Sequence, residues 1–126
     1  MASVLVVDDD PDVCDLVTYK LEQSGFAIRR ASDGEQALAE IASEIPDLVL
    51  LDITMPGMTG LEVLERLRAD APTVSLPVIL LSAKAQEQDV EKGFQLGADD
   101  YVVKPFSPRE LARRVTDMMS RKEPAS

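Results

Sequence analysis

The sequence predicts a doubly wound α/β fold: a five-stranded parallel sheet in the order 2-1-3-4-5 with helices on both faces. Three observations carry this. The runs Val4-Leu5-Val6-Val7, Leu48-Val49-Leu50-Leu51 and Val78-Ile79-Leu80-Leu81 are apolar throughout, as is the shorter Tyr101-Val102-Val103. Strands of that kind are buried on both faces of a parallel sheet. Strand signals alternate with helical ones five times along the chain. The remaining strand, Phe26 to Arg30, alternates apolar with polar residues and belongs at an edge. With right-handed crossovers, that favours 2-1-3-4-5.

Each helix has a start and a stop. Asp10 stands at an N-cap position with Pro11 behind it, and Val13, Leu16, Val17 and Leu21 form the first apolar face, which Gly25 ends. Asp33-Gly34-Glu35-Gln36 opens a second helix carrying Ala37, Leu38 and Ile41, and it stops before Pro46. Thr59-Gly60-Leu61-Glu62 is a capping box for the third, whose face is Leu61, Leu64 and Leu67. Gln86 to Leu96 is a weakly amphipathic fourth helix with only Val90 and Phe94 on its apolar side, ended by Gly97. Ser107-Pro108-Arg109-Glu110 opens the last, with Leu111, Val115, Met118 and Met119 facing inward. Residues 1–120 form one domain, and 121–126 read as a polar tail or the start of a linker.

Composition narrows the function. The chain has 126 residues, 45% hydrophobic, enough for one domain with a real core. With three Phe, two Tyr and no Trp, that core is aliphatic. No apolar run approaches the roughly 18 residues of a membrane span. The lone Cys14, read as an inert helix residue, excludes an internal disulfide. The first strand follows Met1-Ala2-Ser3 too closely for a signal peptide, so a cytoplasmic location is expected. A net charge of −10 argues against nucleic acid or an anionic membrane as a partner of this domain. Histidine is absent, which excludes a Ser-His-Asp triad, a His-ligated metal and a phosphohistidine on this chain.

The strand ends carry the chemistry. In a parallel sheet the first strand delivers Asp8, Asp9 and Asp10 to one edge, the third Asp52, the fourth Ser82 and the fifth Lys104-Pro105. Ligands of such sheets bind beyond the carboxyl ends of the strands, at the point where the strand order reverses. That point lies between the first and third strands. Carboxylates, a hydroxyl and an ammonium meeting there suit a divalent cation and a phosphoryl group. Asp10 is better explained as an N-cap than as a ligand.

Val-Val-Asp8-Asp9-Asp10-Pro11, Asp52-Ile-Thr-Met-Pro56-Gly57, Ser82-Ala83-Lys84 and Gly-Ala-Asp-Asp-Tyr101-Val-Val-Lys104-Pro105-Phe106 together resemble the receiver domain of two-component response regulators, from Val4 to about Met119. Within that family, the segment from Tyr101 to Leu111 is most similar to receivers of winged-helix transcription regulators. The resemblance implies the flavodoxin-like, chemotaxis-receiver-like version of the fold. It makes Asp52 the phosphoacceptor, Asp9 a direct metal ligand, Asp8 a ligand through water and the Thr54 backbone carbonyl a further ligand. It assigns Lys104 and Ser82 to the phosphoryl oxygens, Ser82 and Tyr101 to the switch, and a cis peptide to Lys104-Pro105. A histidine kinase or histidine phosphotransfer protein would be the donor. The subfamily also implies a homodimer in which Lys92 pairs with Glu110 and Asp100 with Arg114 across a twofold axis. Thr54 and Lys84 would flank the path of hydrolytic water, and the length of Lys84 favours a long-lived acyl phosphate.

Elementary electrostatics agrees. Two carboxylates ~4 Å apart repel by about 4 kcal/mol at an effective dielectric near 20. Three need a cation, and all-oxygen ligands suit Mg²⁺. Two other classes compete. A haloacid-dehalogenase-like phosphatase places its nucleophile after the first strand with a second acid two residues on, whereas here the acceptor follows the third strand and Thr54 occupies that position. A flavodoxin-like cofactor binder needs a hydroxyl- and glycine-rich phosphate loop where this chain has three aspartates.

Overall fold

A computed structural model describes residues 1–83 and 87–122. Lys84, Gln86 and the tail residues 123–126 lie outside the described residues, and with them the expectation for Lys84. The strands are β1 (Ser3–Val7), β2 (Ala27–Ala31), β3 (Leu48–Asp52), β4 (Val78–Ala83) and β5 (Asp100–Lys104). The helices are α1 (Pro11–Gln23), α2 (Gly34–Ser43), α3 (Gly60–Ala69), α4 (Glu87–Gln95) and α5 (Pro108–Lys122), with a 3-10 turn at Ala71–Thr73. All strand pairs are parallel and the order is β2-β1-β3-β4-β5.

The alternation of side chains along a strand splits the core into two layers. Leu5, Val7, Val49, Leu51, Val78 and Leu80 pack under α2, α3 and α4. Val4, Val6, Leu48, Leu50, Ile79 and Leu81 pack under α1 and α5. β3 is buried at every residue, which is why its sequence shows no alternation.

Local chemistry sets the helix ends. Asp10 Oδ1 accepts from the Asp12 and Val13 amides at 2.9 and 3.5 Å, so it is the N-cap of α1. Gly25, at φ 95°, follows the C-cap of α1 in the left-handed region. Both halves of the Thr59–Glu62 capping box are formed. Asp33 caps α2 through the Gln36 amide.

Four details depart from the sequence reading. The buried face of α1 is Cys14, Val17 and Leu21, while Leu16 is 49% exposed. Cys14 is small enough to lie against the chain at Asp8, and its thiol donates to the Asp8 carbonyl at 3.3 Å. Phe94 faces outward beside Tyr101, so Val90 and Gly93 make the inner side of α4. Asp100 opens β5 rather than preceding it. α5 continues to Lys122, past the expected boundary at residue 120. No helix among the described residues is long and apolar enough to cross a membrane.

Candidate functional site

Register brings the site together. Asp52 ends β3 opposite Leu81, Ser82 lies beside Val103, and Lys104 beside Ala83. Asp8 follows β1, and its amide still bonds the Ala31 carbonyl at 3.2 Å. Strand ends that are pinned on both sides fix their side chains at one edge of the sheet. There, carboxylate oxygens of Asp8, Asp9 and Asp52 lie within 4.8 Å of one another. Lys104 Nζ reaches Asp8 Oδ2 at 2.7 Å and Asp52 Oδ2 at 3.5 Å. The Lys104–Pro105 peptide bond is cis.

Among the described residues the site sets three carboxylates against one ammonium, that of Lys104. Asp8 and Asp52 are only 1% and 4% exposed, so their charges are poorly solvated. Burial, and then the neighbouring Asp8 charge, pushes the Asp52 carboxyl up from its ordinary 3.8 to about 7, against the pull of Lys104. Burial works to lower Lys104, but the hydrogen bond to Asp8 and the charges of Asp52 and Asp8 outweigh it and leave the ammonium raised. Other oxygens are held in place: Asp8 Oδ1 accepts from the Asp10 amide at 2.9 Å, and Asp52 Oδ1 from the Thr54 amide at 3.2 Å. The wholly buried Ser82 Oγ has no hydrogen-bond partner among the described residues.

These residues fit a small hard cation. The donors are all oxygens, two of the three acids are buried, and Asp9 stays exposed. A crevice of about 440 Å³ opens beside them, lined by Asp8, Asp9, Cys14, Arg30, Ser32 and Gln36. A larger apolar groove, about 540 Å³ between α2 and α3, is lined by Leu38, Ile41, Ile45 and Pro72 and contains none of the site residues.

Of the remaining expected residues, Tyr101 lies on β5 with its ring edge-on to Phe94, centroids 5.6 Å apart. Arg114 on α5 bonds both Asp100 oxygens at 3.0 and 3.1 Å and Glu110 at 3.4 Å, so those three already form a network within the chain. Lys92 is exposed in the last turn of α4. Cys14 is buried, and burial followed by the Asp8 charge raises its thiol above the ordinary range, as suits an unreactive residue. The sequence reading passed over Gly60 and Arg68. Gly60 packs against the backbone of Asp52. Arg68 bonds the Gly97 and Thr73 carbonyls and Asp99. The capping-box pattern placed Gly60 at the start of a helix, but nothing local in the sequence marks its contact with Asp52.

Known proteins share this fold. The family model described as the response regulator receiver domain matches residues 4–116. The chain is 45% identical over 123 residues to the alkaline phosphatase synthesis transcriptional regulatory protein PhoP of Bacillus subtilis, covering 98% of this chain and 50% of that one. It is 46% identical over 120 residues to the DNA-binding response regulator MtrA of Mycolicibacterium smegmatis, covering 95% and 51%. The chain thus spans about half the length of these curated relatives. Among solved structures, the receiver domain of the Francisella response regulator 1452 superposes with a TM-score of 0.89 at 35% identity, covering 98% of this chain and 100% of that one. The chemotaxis protein CheY4 of Vibrio cholerae superposes with a TM-score of 0.87 at 31% identity, covering 93% and 98%. The chain belongs to the response regulator receiver domain family.

Proposed function

We propose that Asp52 is the residue through which this two-component receiver domain is phosphorylated. The observation that carries the reading is the meeting of Asp8, Asp9, Asp52 and Lys104 at one sheet edge beside the buried Ser82 hydroxyl, which has no hydrogen-bond partner among the described residues. An oxygen of the Asp52 carboxylate attacks phosphorus, the bond from phosphorus to the donor breaks, and its electron pair leaves with the donor. With no histidine in the chain, that donor is a phosphohistidine on a kinase or phosphotransfer protein, or a small acyl phosphate. Lys104 binds one phosphoryl oxygen and Ser82 another, since such transfers need positioning and charge neutralisation above all. Asp8, Asp9 and Asp52, with the Thr54 carbonyl, would hold Mg²⁺, which when bound offsets the clustered negative charge and draws charge from the phosphoryl oxygens. Water later attacks the same phosphorus, the bond from phosphorus to the Asp52 oxygen breaks, and inorganic phosphate leaves the free carboxylate behind, so this slow step sets how long the switch stays on.

The output is a changed surface. Modification of Asp52 draws Ser82 toward the new phosphoryl group, and Tyr101, one strand over, follows. Because curated relatives include a transcriptional regulatory protein and a DNA-binding response regulator, a symmetric dimer through α4, β5 and α5, using Lys92, Asp100, Glu110 and Arg114, is the surface we assign to that output.

Incubation with acetyl phosphate and Mg²⁺, followed by intact-mass measurement, tests the assignment. One added phosphoryl group is expected in the native chain and none in Asp52→Asn or with a chelator. Equal labelling of Asp52→Asn would overturn it.

A further inference from the structure

The geometry points to Gly60 as a positioning residue for the acceptor, acting through the peptide bond that follows Asp52. This inference rests on Asp52 being the phosphoacceptor. Gly60 is the first residue of α3, and its amide donates to the Ile53 carbonyl at 2.9 Å. That bond closes the loop from Ile53 to Thr59 at its base. A β-carbon on Gly60 would stand 2.1 Å from the Asp52 carbonyl oxygen, and 2.9 Å from both the Asp52 carbonyl carbon and the Ile53 Cα. All three are backbone atoms at the end of β3, where Asp52 pairs with Leu81 and the Ile53 amide bonds the Leu81 carbonyl, so they cannot swing aside as a side-chain tip can. The backbone torsion is ordinary, because Gly60 is not among the glycines of positive φ. The requirement is therefore space alone.

What this contact holds matters more than that it is tight. The Asp52–Ile53 peptide sits between the Asp52 side chain and the Thr54 amide, which bonds Asp52 Oδ1 at 3.2 Å. On its other side the Ile53 amide is fixed to the Leu81 carbonyl at 3.0 Å, next to Ser82. Tilting that peptide moves the acceptor, its Thr54 restraint and the start of the loop together. The capping box of Thr59 and Glu62 anchors the first turn of α3 and so keeps Gly60 pressed on this peptide. At the first position of α3 a glycine adds nothing to the helix that alanine would not, and close approach to Asp52 is what it provides.

The test compares Gly60→Ala with Val115→Ala, which opens a cavity under α5 in the other core layer, at a temperature where both are folded by circular dichroism. Mg²⁺ affinity is measured by calorimetry and acetyl phosphate labelling by mass. A misplacement near 1 Å costs catalysis about 10²-fold, so Gly60→Ala should label at least about tenfold more slowly and bind Mg²⁺ more weakly. Val115→Ala should match the native chain in both. If Gly60→Ala does not fold, Thr59→Ala, which loosens the seat without adding an atom, should still weaken Mg²⁺ binding and labelling beyond Val115→Ala. A folded Gly60→Ala, or failing that Thr59→Ala, with native Mg²⁺ affinity and labelling overturns the inference. A native chain that does not label overturns the assignment of Asp52 instead.

Discussion

Asp52 and Ser82 are both buried at a cost to the fold. The folded Asp52 carboxyl titrates at about 7 against an ordinary 3.8, so between those values the folded state holds a proton that the unfolded chain has released. Its contribution to stability is therefore fully present below about 3.8 and is lost as pH rises through 7. Each tenfold change in proton affinity is worth about 1.4 kcal/mol, which sets a ceiling on the order of 4 kcal/mol. Because the Asp52 charge interacts with that of Lys104, about 2 kcal/mol is the expected gain when Asp52→Asn is compared with the metal-free native chain at pH 8. At pH 4 that gain should disappear, and Mg²⁺ should stabilise the native chain more than the variant. Urea titrations at both pH values, with and without Mg²⁺, measure this. Ser82→Ala should leave metal-free stability within about 0.5 kcal/mol or raise it, since its buried hydroxyl has no hydrogen-bond partner among the described residues and carries chiefly its desolvation cost. Labelling of Asp52 should persist in that variant while any phosphorylation-dependent change at Tyr101 is lost, read from tyrosine resonances by NMR. The acids, the hydroxyl and the ammonium were legible in sequence because each ends a strand. The pairing of Lys104 with Asp8 rather than mainly with Asp52 was not, because it depends on the depth of each carboxylate.

Elements were legible where periodicity and caps agreed. β1, β3 and β4 read as apolar runs because both layers of the core need them. The inner face of α1 was misassigned because hydropathy ranks Leu16 above Cys14, while the helix fits a small side chain against Asp8. Long-range polar ties were invisible, since no local pattern announces them. Arg68 is the clearest case: from the end of α3 it bonds the Gly97 carbonyl, the Thr73 carbonyl and Asp99, and Asp99 in turn accepts from the Val78 amide. One side chain thus joins α3, the 3-10 turn, the loop into β5 and the start of β4. Arg68→Met keeps the aliphatic stem and removes those bonds, so a loss of roughly 2 kcal/mol is expected. Hydrogen exchange should show the damage concentrated between Leu96 and Asp100. Uniform loss of protection across the sheet would mean that Arg68 serves general packing instead.

For the whole molecule, the proposed dimer requires that a change at one sheet edge alter association. β5 is the last strand of the sheet, and an edge strand invites a partner. Phe94 and Tyr101, 43% and 37% exposed, form an apolar pair on that flank. Around them Asp100 and Glu110 are already engaged by Arg114 in the same chain. A second copy can share those groups across a twofold axis without burying a new unpaired charge. Exposed ion pairs are worth roughly 0–1 kcal/mol each. They therefore set register while the two rings supply affinity, and the dimer should be weak and sensitive to salt. Phosphorylation favours it only as far as the modified state binds a partner more tightly, about 1.4 kcal/mol for each tenfold shift. Sedimentation with and without a beryllofluoride mimic of the phosphoryl group should show dimer only in the activated chain. Phe94→Ala, which removes a ring from each copy, and Arg114→Glu, which sets like charges against each other, should each weaken that dimer while Asp52 still labels. An activated chain that stays monomeric at high concentration, or an Arg114→Glu dimer of native strength, would assign this face to a different partner.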